Sequence, residues 1–277
     1  MSNQSGYFIA MLLALSLSVC GGNALAAGHT QLTWYGHAAF KLVTPQGHVL
    51  LLDPWITNPA NPDGKKDLAA LDKVDLILVT HGHFDHIGDS VAIAKRTGAK
   101  LVANYDLGNA MVADLGYPAK QATEATLGNS GGTIKVLNGD VSITYEPAVH
   151  GSTINVHGAD GKLQVDAGGN PGGFVIRIKN GPTIYDTGDT DVFGDMKLIP
   201  KFDHINVMLA CIGDHFTMGP KGAALAVRFV HPDVVIPQHY GTFPLLTGTP
   251  EAFAKALKAR HVKVKLDVMK PGQTLTF

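Results

Sequence analysis

Metal-ligand side chains follow four of the apolar runs in this chain, at the point where each run ends. The runs are DLILVT, VSITYEPAV, TIYDTG and DVVIPQ, and they lead into His81, His83, Asp85, His86, His150, Asp189 and His239. Chance does not readily place seven such residues at four strand ends in a chain with 13 histidines. The chain must therefore adopt a fold that brings these strand ends to one place.

Strand-like and helix-like patterns alternate from about His29 to the end of the chain. Short apolar runs such as QLTWYG, HVLLLD, FVIRIK and INVMLA are separated by helical patterns. These helical patterns are DSVAIAKRTG, LGNAMVADLG, DVFGDMKLIP, GPKGAALAVRFV and TPEAFAKALKAR. Because we find no linker, charge block or solenoid repeat, the alternation predicts a single α/β domain over residues 28–277, with helices covering sheet.

An uncharged segment precedes this domain. The apolar stretch Tyr7 to Cys20 has 14 residues, too few for a spanning helix of about 20 but enough for the core of a signal peptide. Ala24-Leu25-Ala26 follows as a small-x-small cleavage pattern. We therefore predict a signal peptide over residues 1–26, a periplasmic or secreted protein, and no stable membrane span after cleavage. The alternatives are a retained anchor or a mis-assigned start, while Val19 disfavours a lipoprotein attached through Cys20.

The charge balance narrows the class of partner. With 22 basic and 23 acidic side chains the formal net charge is -1. The chain therefore has no large excess of positive charge with which to bind a nucleic acid. The low charged fraction of 16% and the hydrophobic fraction of 45% indicate a compact fold rather than disorder. We expect a small-molecule substrate as partner, and the sequence indicates no oligomeric state. Without the signal segment Cys211 is the only thiol, which excludes an intramolecular disulfide.

The spacing of the ligand-type residues favours two cations. His81 and His83 project to the same side of an extended loop, close enough for one cation. Asp85 and His86 can serve a second cation, and a carboxylate such as Asp189 has two oxygens with which to bridge both. We predict two divalent ions, with zinc as first choice because imidazole and carboxylate suit it, although manganese, iron or nickel would also be accepted. A single-metal or metal-storage site is the alternative, because ligands alone do not prove turnover.

The complete ligand pattern resembles that of a known family. The cluster His81-x-His83-x-Asp85-His86 is followed by His150, Asp189 and His239 at gaps of 69, 39 and 50 residues, as in the metallo-β-lactamase superfamily of metal-dependent hydrolases. The segments WYGHAAF, LDP, DTGDT, IGDHFTMG and QHYGTFP resemble the branch related to ascorbate-phosphate lactonase and to the N-acyl-phosphatidylethanolamine phospholipase D type. The resemblance covers residues 30–250 and implies an αββα sandwich of two similar halves with metals at one sheet edge. It further implies that His81, His83 and His150 hold one metal, Asp85, His86 and His239 the other, and Asp189 both.

The chemistry expected of two such ions is hydrolysis. A water shared between them would have its pKa lowered toward about 7, which gives a hydroxide nucleophile that Asp189 positions, with Asp85 also in a catalytic role as ligand. The site charge of about +1 favours a small anionic substrate with an ester, lactone, amide or phosphodiester bond. The alternatives are a non-catalytic metal-binding protein or a β-lactamase. The β-lactamase is disfavoured because Asp189 stands where common zinc β-lactamases have a cysteine, and Cys211, 22 residues later in an apolar run, is expected to be a core thiol.

Further residues are expected around the ligands. Asp53, Thr80 and Thr187 are candidates to orient the histidines, although Asp53 can equally be a turn residue. We predict His215 as proton donor or oxyanion contact. We predict His37 as a residue that faces the substrate or supports a ligand. A purely structural role is the alternative for both histidines.

The walls of the substrate pocket are expected to come from loops. The segments concerned are 107–116, 155–173 and 243–249. The Gly-rich segment 157–173 is either a mobile flap over the site or a solvated connection. Because the sequences of these loops match no pattern that indicates a ligand, the sequence does not define the substrate.

Overall fold

The computed structural model describes residues 1, 28–157 and 161–277 of the chain. The predicted signal peptide, which spans residues 1–26, lies outside these described residues except for Met1. In the part of the chain that is described, no helix combines the length and the apolar character needed to cross a membrane.

The described residues form short strands and helices in alternation. The strands are β1 (Gln31–Trp34), β2 (Phe40–Val43), β3 (Val49–Leu52), β4 (Leu76–Leu78), β5 (Lys100–Asn104), β6 (Leu127–Gly128), β7 (Thr133–Val136), β8 (Val141–Pro147), β9 (Thr153–His157), β10 (Leu163–Ala167), β11 (Gly172–Ile178), β12 (Thr183–Asp186), β13 (Val207–Cys211), β14 (Val234–Gln238), β15 (Lys265–Leu266) and β16 (Thr274–Thr276). The helices are α1 (Gly64–Ala69), α2 (Phe84–Ile87), α3 (Ser90–Thr97), α4 (Tyr105–Leu115), α5 (Ile199–Phe202), α6 (Pro220–Val230) and α7 (Pro250–Ala259). Single 3-10 turns occupy Ala119–Gln121, Leu137–Gly139 and Gly194–Leu198.

Two seven-stranded sheets share one plan. Their strand orders are β16-β1-β2-β3-β4-β5-β6 and β15-β14-β13-β12-β11-β8-β7. In the first sheet the strands from β3 to β6 are parallel, as are those from β12 to β15 in the second, and the other pairings are antiparallel. Parallel strands covered on both faces need apolar residues at every position, which explains the runs VLLL in β3 and VMLAC in β13.

Three apolar layers hold the sheets and helices together. Leu50 and Leu52 of β3 face the second sheet, where they join Ile143 and Tyr145 of β8 in the central layer. Leu51, between the two leucines, faces outward and packs in the layer under α3 and α4. The third layer lies between the second sheet and α6 and α7. The order of layers is helix, sheet, sheet, helix, so the predicted αββα sandwich is confirmed.

The five segments with helical patterns all form helices. DVFGDMKLIP differs from expectation, because it forms the 3-10 turn Gly194–Leu198 followed by the four-residue helix α5. Helices α1 and α2 were not predicted, since six and four residues are too few to show a helical period.

A hairpin outside the two sheets replaces much of the expected loop 157–173. Strand β10 pairs antiparallel with β9, with Ala167 opposite Thr153. Ile154 of β9 is buried in the layer under α4, while Thr153 and Asn155 point the other way, toward a cavity. The segment LQVDA alternates apolar and polar residues as a strand does, although the residues of β10 are mostly exposed on both faces.

Candidate metal centre

The seven predicted ligands lie at one edge of the sandwich, each just beyond a strand or on a short helix. His81 and His83 follow β4, Asp85 and His86 belong to α2, and His150, Asp189 and His239 follow β8, β12 and β14. Strands β8, β12 and β14 run in the same direction, so their carboxyl ends meet at the same edge. This arrangement places a crevice where ligand sites of layered α/β folds commonly lie.

Three histidines form the first set of converging nitrogens. Nε2 of His81 is 2.9 Å from Nδ1 of His83, and Nδ1 of His83 is 3.3 Å from Nε2 of His150. Nitrogens bound at 2.0–2.1 Å around one tetrahedral zinc ion lie roughly 3.3 Å apart. The spacing of this set therefore suits one metal ion.

The second set combines a carboxylate with two buried histidines. Nε2 of His239 is 3.6 Å from Oδ2 of Asp85. Asp85, His86 and His239 belong, together with His37, to one group whose ligand atoms all lie within 4.8 Å of one another. This group can hold a second cation beside the first.

Asp189 stands between the two sets. Its Oδ2 lies 3.9 Å from Nε2 of His81 and 3.7 Å from Nε2 of His150. The same oxygen lies 3.2 Å from Nε2 of His86 and 2.9 Å from Nε2 of His239. One buried carboxylate oxygen thus lies within 3.9 Å of imidazole nitrogens from both sets.

Several atoms at the centre are buried and make no hydrogen bond among the described residues, although two of them, Nε2 of His86 and Nε2 of His239, lie close to Oδ2 of Asp189. They are Nε2 of His86, Oδ1 of Asp189, and both ring nitrogens of His239. Buried polar atoms are normally satisfied, and the cost of leaving them unpaired is high. Imidazole nitrogens and carboxylate oxygens are also the donors that divalent transition metals prefer. The residues present therefore fit a metal centre.

Asp53 and Thr80 hold two of the ligand histidines. Oδ2 of Asp53 lies 2.7 Å from Nδ1 of His86 and accepts a hydrogen bond of 2.7 Å from the Thr80 hydroxyl. That hydroxyl oxygen lies 3.0 Å from Nδ1 of His81. Because the Nδ1 atoms are engaged here, the Nε2 atoms of both histidines are directed at the centre. Asp53 is therefore more than a turn residue.

Thr187 supports the loop of Asp189 rather than a histidine. Its hydroxyl donates to the carbonyl of Gly188 at 2.8 Å and accepts from the amide of Cys211 at 3.3 Å. Cys211 is fully buried, and burial raises the pKa of its thiol to about 12. It belongs to the apolar layer under α6 and to none of the candidate metal groups among the described residues.

A buried pair that sequence reasoning missed joins the Asp189 loop to the His239 loop. Oδ1 of Asp186 accepts from the Gly188 amide at 3.1 Å and from Nε2 of Gln238 at 2.9 Å. Both residues are strand-end polar groups directly beside predicted ligands, which is the signal that could have identified them.

His37 lies behind Asp85 and is fully buried. Its Nε2 is 2.9 Å from Oδ2 of Asp85 and its Nδ1 is 2.9 Å from the hydroxyl of Thr242. Burial lowers the pKa of His37 to about 4, so the neutral ring donates to the carboxylate and accepts from the hydroxyl. Of the two roles predicted for His37, this placement corresponds to support of a ligand.

His215 is placed differently from the other predicted site residues. It is exposed, and its ring contacts Phe216, with ring centroids 4.4 Å apart. Phe216 lines the cavity beside the metal centre, and His215 is not among the lining residues. Its role as proton donor stays a prediction.

Burial and the two carboxylates set the protonation of the centre. Burial lowers the pKa values of His81, His83 and His150, so these rings keep free lone pairs. Burial alone would raise the pKa of Asp85, but the neighbouring imidazoles of His239 and His37 outweigh it and lower that pKa.

Asp189 sets the protonation of the remaining histidines. Burial would lower the pKa of His239, but Asp189 raises it to about 9, and Asp189 likewise raises the pKa of His86 against burial. The same two histidines hold the pKa of Asp189 well below its usual value, although burial opposes this. Ionised carboxylates are the forms that bind metals.

Three of the residues at the centre have backbone angles that side chains seldom adopt. The φ angles of His37, Asp53 and His239 are 51°, 40° and 56°. A non-glycine residue in this region costs of order 1 kcal/mol or more and persists only where its surroundings hold it in place. The short distances described above are therefore obtained at some cost in backbone strain.

A cavity of about 590 Å³ opens beside the metal centre. Five of the predicted ligands form its floor: His83, Asp85, His150, Asp189 and His239. The rest of the wall is Phe84, Thr153, Asn155, Phe216, Phe243, Pro244 and Leu245. Segments 155–173 and 243–249, which were expected to form pocket walls, contribute Asn155 and the residues from Phe243 to Leu245, whereas no residue of segment 107–116 lines this cavity.

Several known proteins are similar to this chain in sequence or in fold. The beta-lactamase superfamily domain matches residues 48–240. A metal-dependent hydrolase of Thermodesulfovibrio yellowstonii is 56% identical over 248 residues, covering 90% of this chain and 92% of that protein. A metal-dependent hydrolase of Anaeromyxobacter sp. strain K is 54% identical over 254 residues, covering 91% and 88%. The structure of Igni18, a metallo hydrolase from Ignicoccus hospitalis, has a TM-score of 0.74 and 32% identity, covering 90% of this chain and 98% of that one.

The fold and the site together define a class, the metal-dependent hydrolases with the metallo-β-lactamase fold. The chain belongs to the metallo-β-lactamase superfamily, and its relatives there are UPF0173 metal-dependent hydrolases. The narrower resemblance to ascorbate-phosphate lactonase and the N-acyl-phosphatidylethanolamine phospholipase D type stays a prediction.

Proposed function

We propose that the protein is a dinuclear hydrolase acting on an ester, lactone, amide or phosphodiester bond of a small molecule. The observation that carries this proposal is the position of Asp189 Oδ2 within 3.9 Å of four imidazole nitrogens from two ligand sets. Two divalent ions, zinc as first choice, would supply a Lewis acid and an activated water when bound.

The protein's own residues fix the geometry that such chemistry needs. Asp189 sets the distance between the two ligand sets, and His37 holds Asp85 in place. Asp53 and Thr80 hold His86 and His81. Restraints of this kind keep reacting groups within the small tolerances that fast turnover demands.

Metal content tests the proposal directly. After reconstitution with zinc, the protein is expected to retain two ions per chain by elemental analysis, and the Asp85→Ala variant about one, because Asp85 belongs to the second set alone. Activity should be lost with a chelator and recovered with metal. A screen of esters, lactones, amides and phosphodiesters with zinc and manganese would define the bond.

A surface histidine provides the matched control. His204 pairs with Asp233 and its side chain is 66% exposed, so His204→Ala should keep both ions. Wild-type protein that binds fewer than two ions after reconstitution, or an Asp85→Ala variant that keeps two, would contradict the dinuclear proposal.

Export is a second proposal, supported by the apolar stretch Tyr7 to Cys20 and the pattern Ala24-Leu25-Ala26. Protein recovered from the periplasmic or extracellular fraction is expected to begin near Ala27 when its N-terminal sequence is determined. An intact Met1 in that fraction would refute cleavage.

A further inference from the structure

Large apolar side chains stand exposed at the mouth of the cavity. Phe84, Phe216 and Leu245 are 59%, 50% and 53% exposed, and each comes from a different segment of the chain. None of them belongs to the three apolar layers of the fold. Exposed apolar side chains that cluster at one cavity, rather than singly over the surface, commonly mark a binding site.

One side of the mouth is an aromatic wall of Phe84 and Phe243, which both line the cavity, with the ring of Trp55 packed against both. The centroid of the Trp55 ring lies 5.6 Å from that of Phe84 and 5.9 Å from that of Phe243, and the Phe84 and Phe243 centroids are 6.5 Å apart. Aromatic pairs at such distances support one another. A substrate that contacts this wall meets a surface that is already in place, so little ordering is needed on binding.

The wall of the cavity has no lysine or arginine side chain among the described residues that line it. Its charged groups are predicted metal ligands. The polar groups beyond these ligands are the neutral Thr153 and Asn155 of β9. A charged group placed away from the metals would lose its hydration without gaining a partner.

We propose that the substrate is an uncharged molecule in which the scissile ester, lactone or amide carries an apolar alkyl or aryl group, packed between the aromatic wall and Phe216 and Leu245. This inference rests on the proposed hydrolase function. It replaces the small anionic substrate expected from the charge of the metal centre, because that expectation counted only the ions and their ligands.

A series of esters with a common leaving group tests the proposal. For the zinc-loaded protein, kcat/KM is expected to rise roughly threefold for each methylene buried. 4-Nitrophenyl octanoate has about four more methylenes than the butanoate, so burial of roughly two to four of them would raise kcat/KM by about 10- to 80-fold. The mono-4-nitrophenyl ester of octanedioic acid has the same chain length but ends in a carboxylate. It should react at least ~10-fold more slowly than the octanoate, since its charge would enter an apolar site.

Variants locate the effect at the cavity mouth. Leu245→Ser and Phe216→Ser are expected to lower the ratio of octanoate to butanoate kcat/KM by ~3-fold or more each. Phe202 is 82% exposed but lies on α5, away from the cavity, so Phe202→Ser should leave that ratio and the rate unchanged.

A binding measurement separates failure of this inference from failure of the hydrolase proposal. Octanoate and butanoate carry the same carboxylate and differ only in chain length. Titration calorimetry of the zinc-loaded protein should therefore show octanoate binding ~10-fold or more tightly than butanoate, whether or not esters are hydrolysed. Hydrolysis with no dependence on chain length, or with a preference for the octanedioate, would overturn the apolar-substrate inference and leave the hydrolase intact. Tight octanoate binding without ester hydrolysis would support the apolar site and count against the ester activity, whereas loss of both would overturn both.

Discussion

Replacement of Asp189 by asparagine is expected to lower kcat/KM by about 10³-fold or more, equivalent to ~4 kcal/mol of transition-state stabilisation. Asparagine keeps the size of the side chain but removes the negative charge. Its amide oxygen could contact one cation and its NH₂ group could contact none. Because Oδ2 of Asp189 lies within 3.9 Å of histidines from both ligand sets, the change affects both proposed metal positions together.

The matched control for this variant lies on the same loop. Asp191 is exposed and its carboxylate accepts from the amide of Val192, so Asp191→Asn removes an identical charge two residues away without touching either ligand set. Rates on the best substrate of the panel and metal content should both be measured. If Asp189→Asn keeps two ions and stays within tenfold of wild type, Asp189 does not bridge.

Introduction of a single methyl group at Gly213 should disrupt the metal centre by displacing the loop that carries His239. A Cβ atom built there would lie 2.2 Å from the carbonyl oxygen of His239 and 3.2 Å from its Nδ1. Since the obstructing atom is backbone, the loop that carries His239 has to move. We expect Gly213→Ala to lose the second metal ion, to lose activity to a similar extent as the Asp189 variant, and to cost about 2–4 kcal/mol of unfolding free energy.

Two further glycines make this prediction specific. A Cβ at Gly248 would lie 1.8 Å from the carbonyl oxygen of Ile212, so Gly248→Ala should show the same loss of stability. A Cβ at Gly194 meets no atom within 4 Å, and Gly194→Ala should be close to neutral. Thermal unfolding and the metal content of the folded protein at low temperature provide the two readouts. An unchanged melting temperature together with two bound ions in Gly213→Ala would show that the contact relaxes freely.

The layered fold and the grouping of the ligand-type residues could be predicted because both depend on local patterns. Apolar runs that end in histidine or aspartate must deliver those side chains to one sheet edge once the strands run in the same direction. The structure indeed brings the seven residues together, including His81 and Asp189, which are more than 100 positions apart in the chain. The hairpin of β9 and β10 was not predicted although TINVH and LQVDA both alternate apolar and polar residues, because the many glycines of segment 157–173 favoured a loop.

The partners that hold the ligands could be predicted only in part. Thr80 and Asp53 stand next to strand ends, and this position suggested their role. The contact of His37 with Thr242 joins residues 205 positions apart and depends on how the two halves of the sandwich pack. The exposed position of His215 likewise follows from the path of its loop, which a strand-end argument does not determine.

The left-handed backbone at His37, Asp53 and His239 affects which substitutions a selection for stability would favour. A protein selected for stability alone would be expected to exchange such positions for glycine or asparagine, which occupy this region at lower cost. Each exchange would remove an imidazole or a carboxylate from the centre. Libraries screened only for heat resistance should therefore enrich inactive sequences at these three positions, so a screen for robust variants has to select for turnover at the same time.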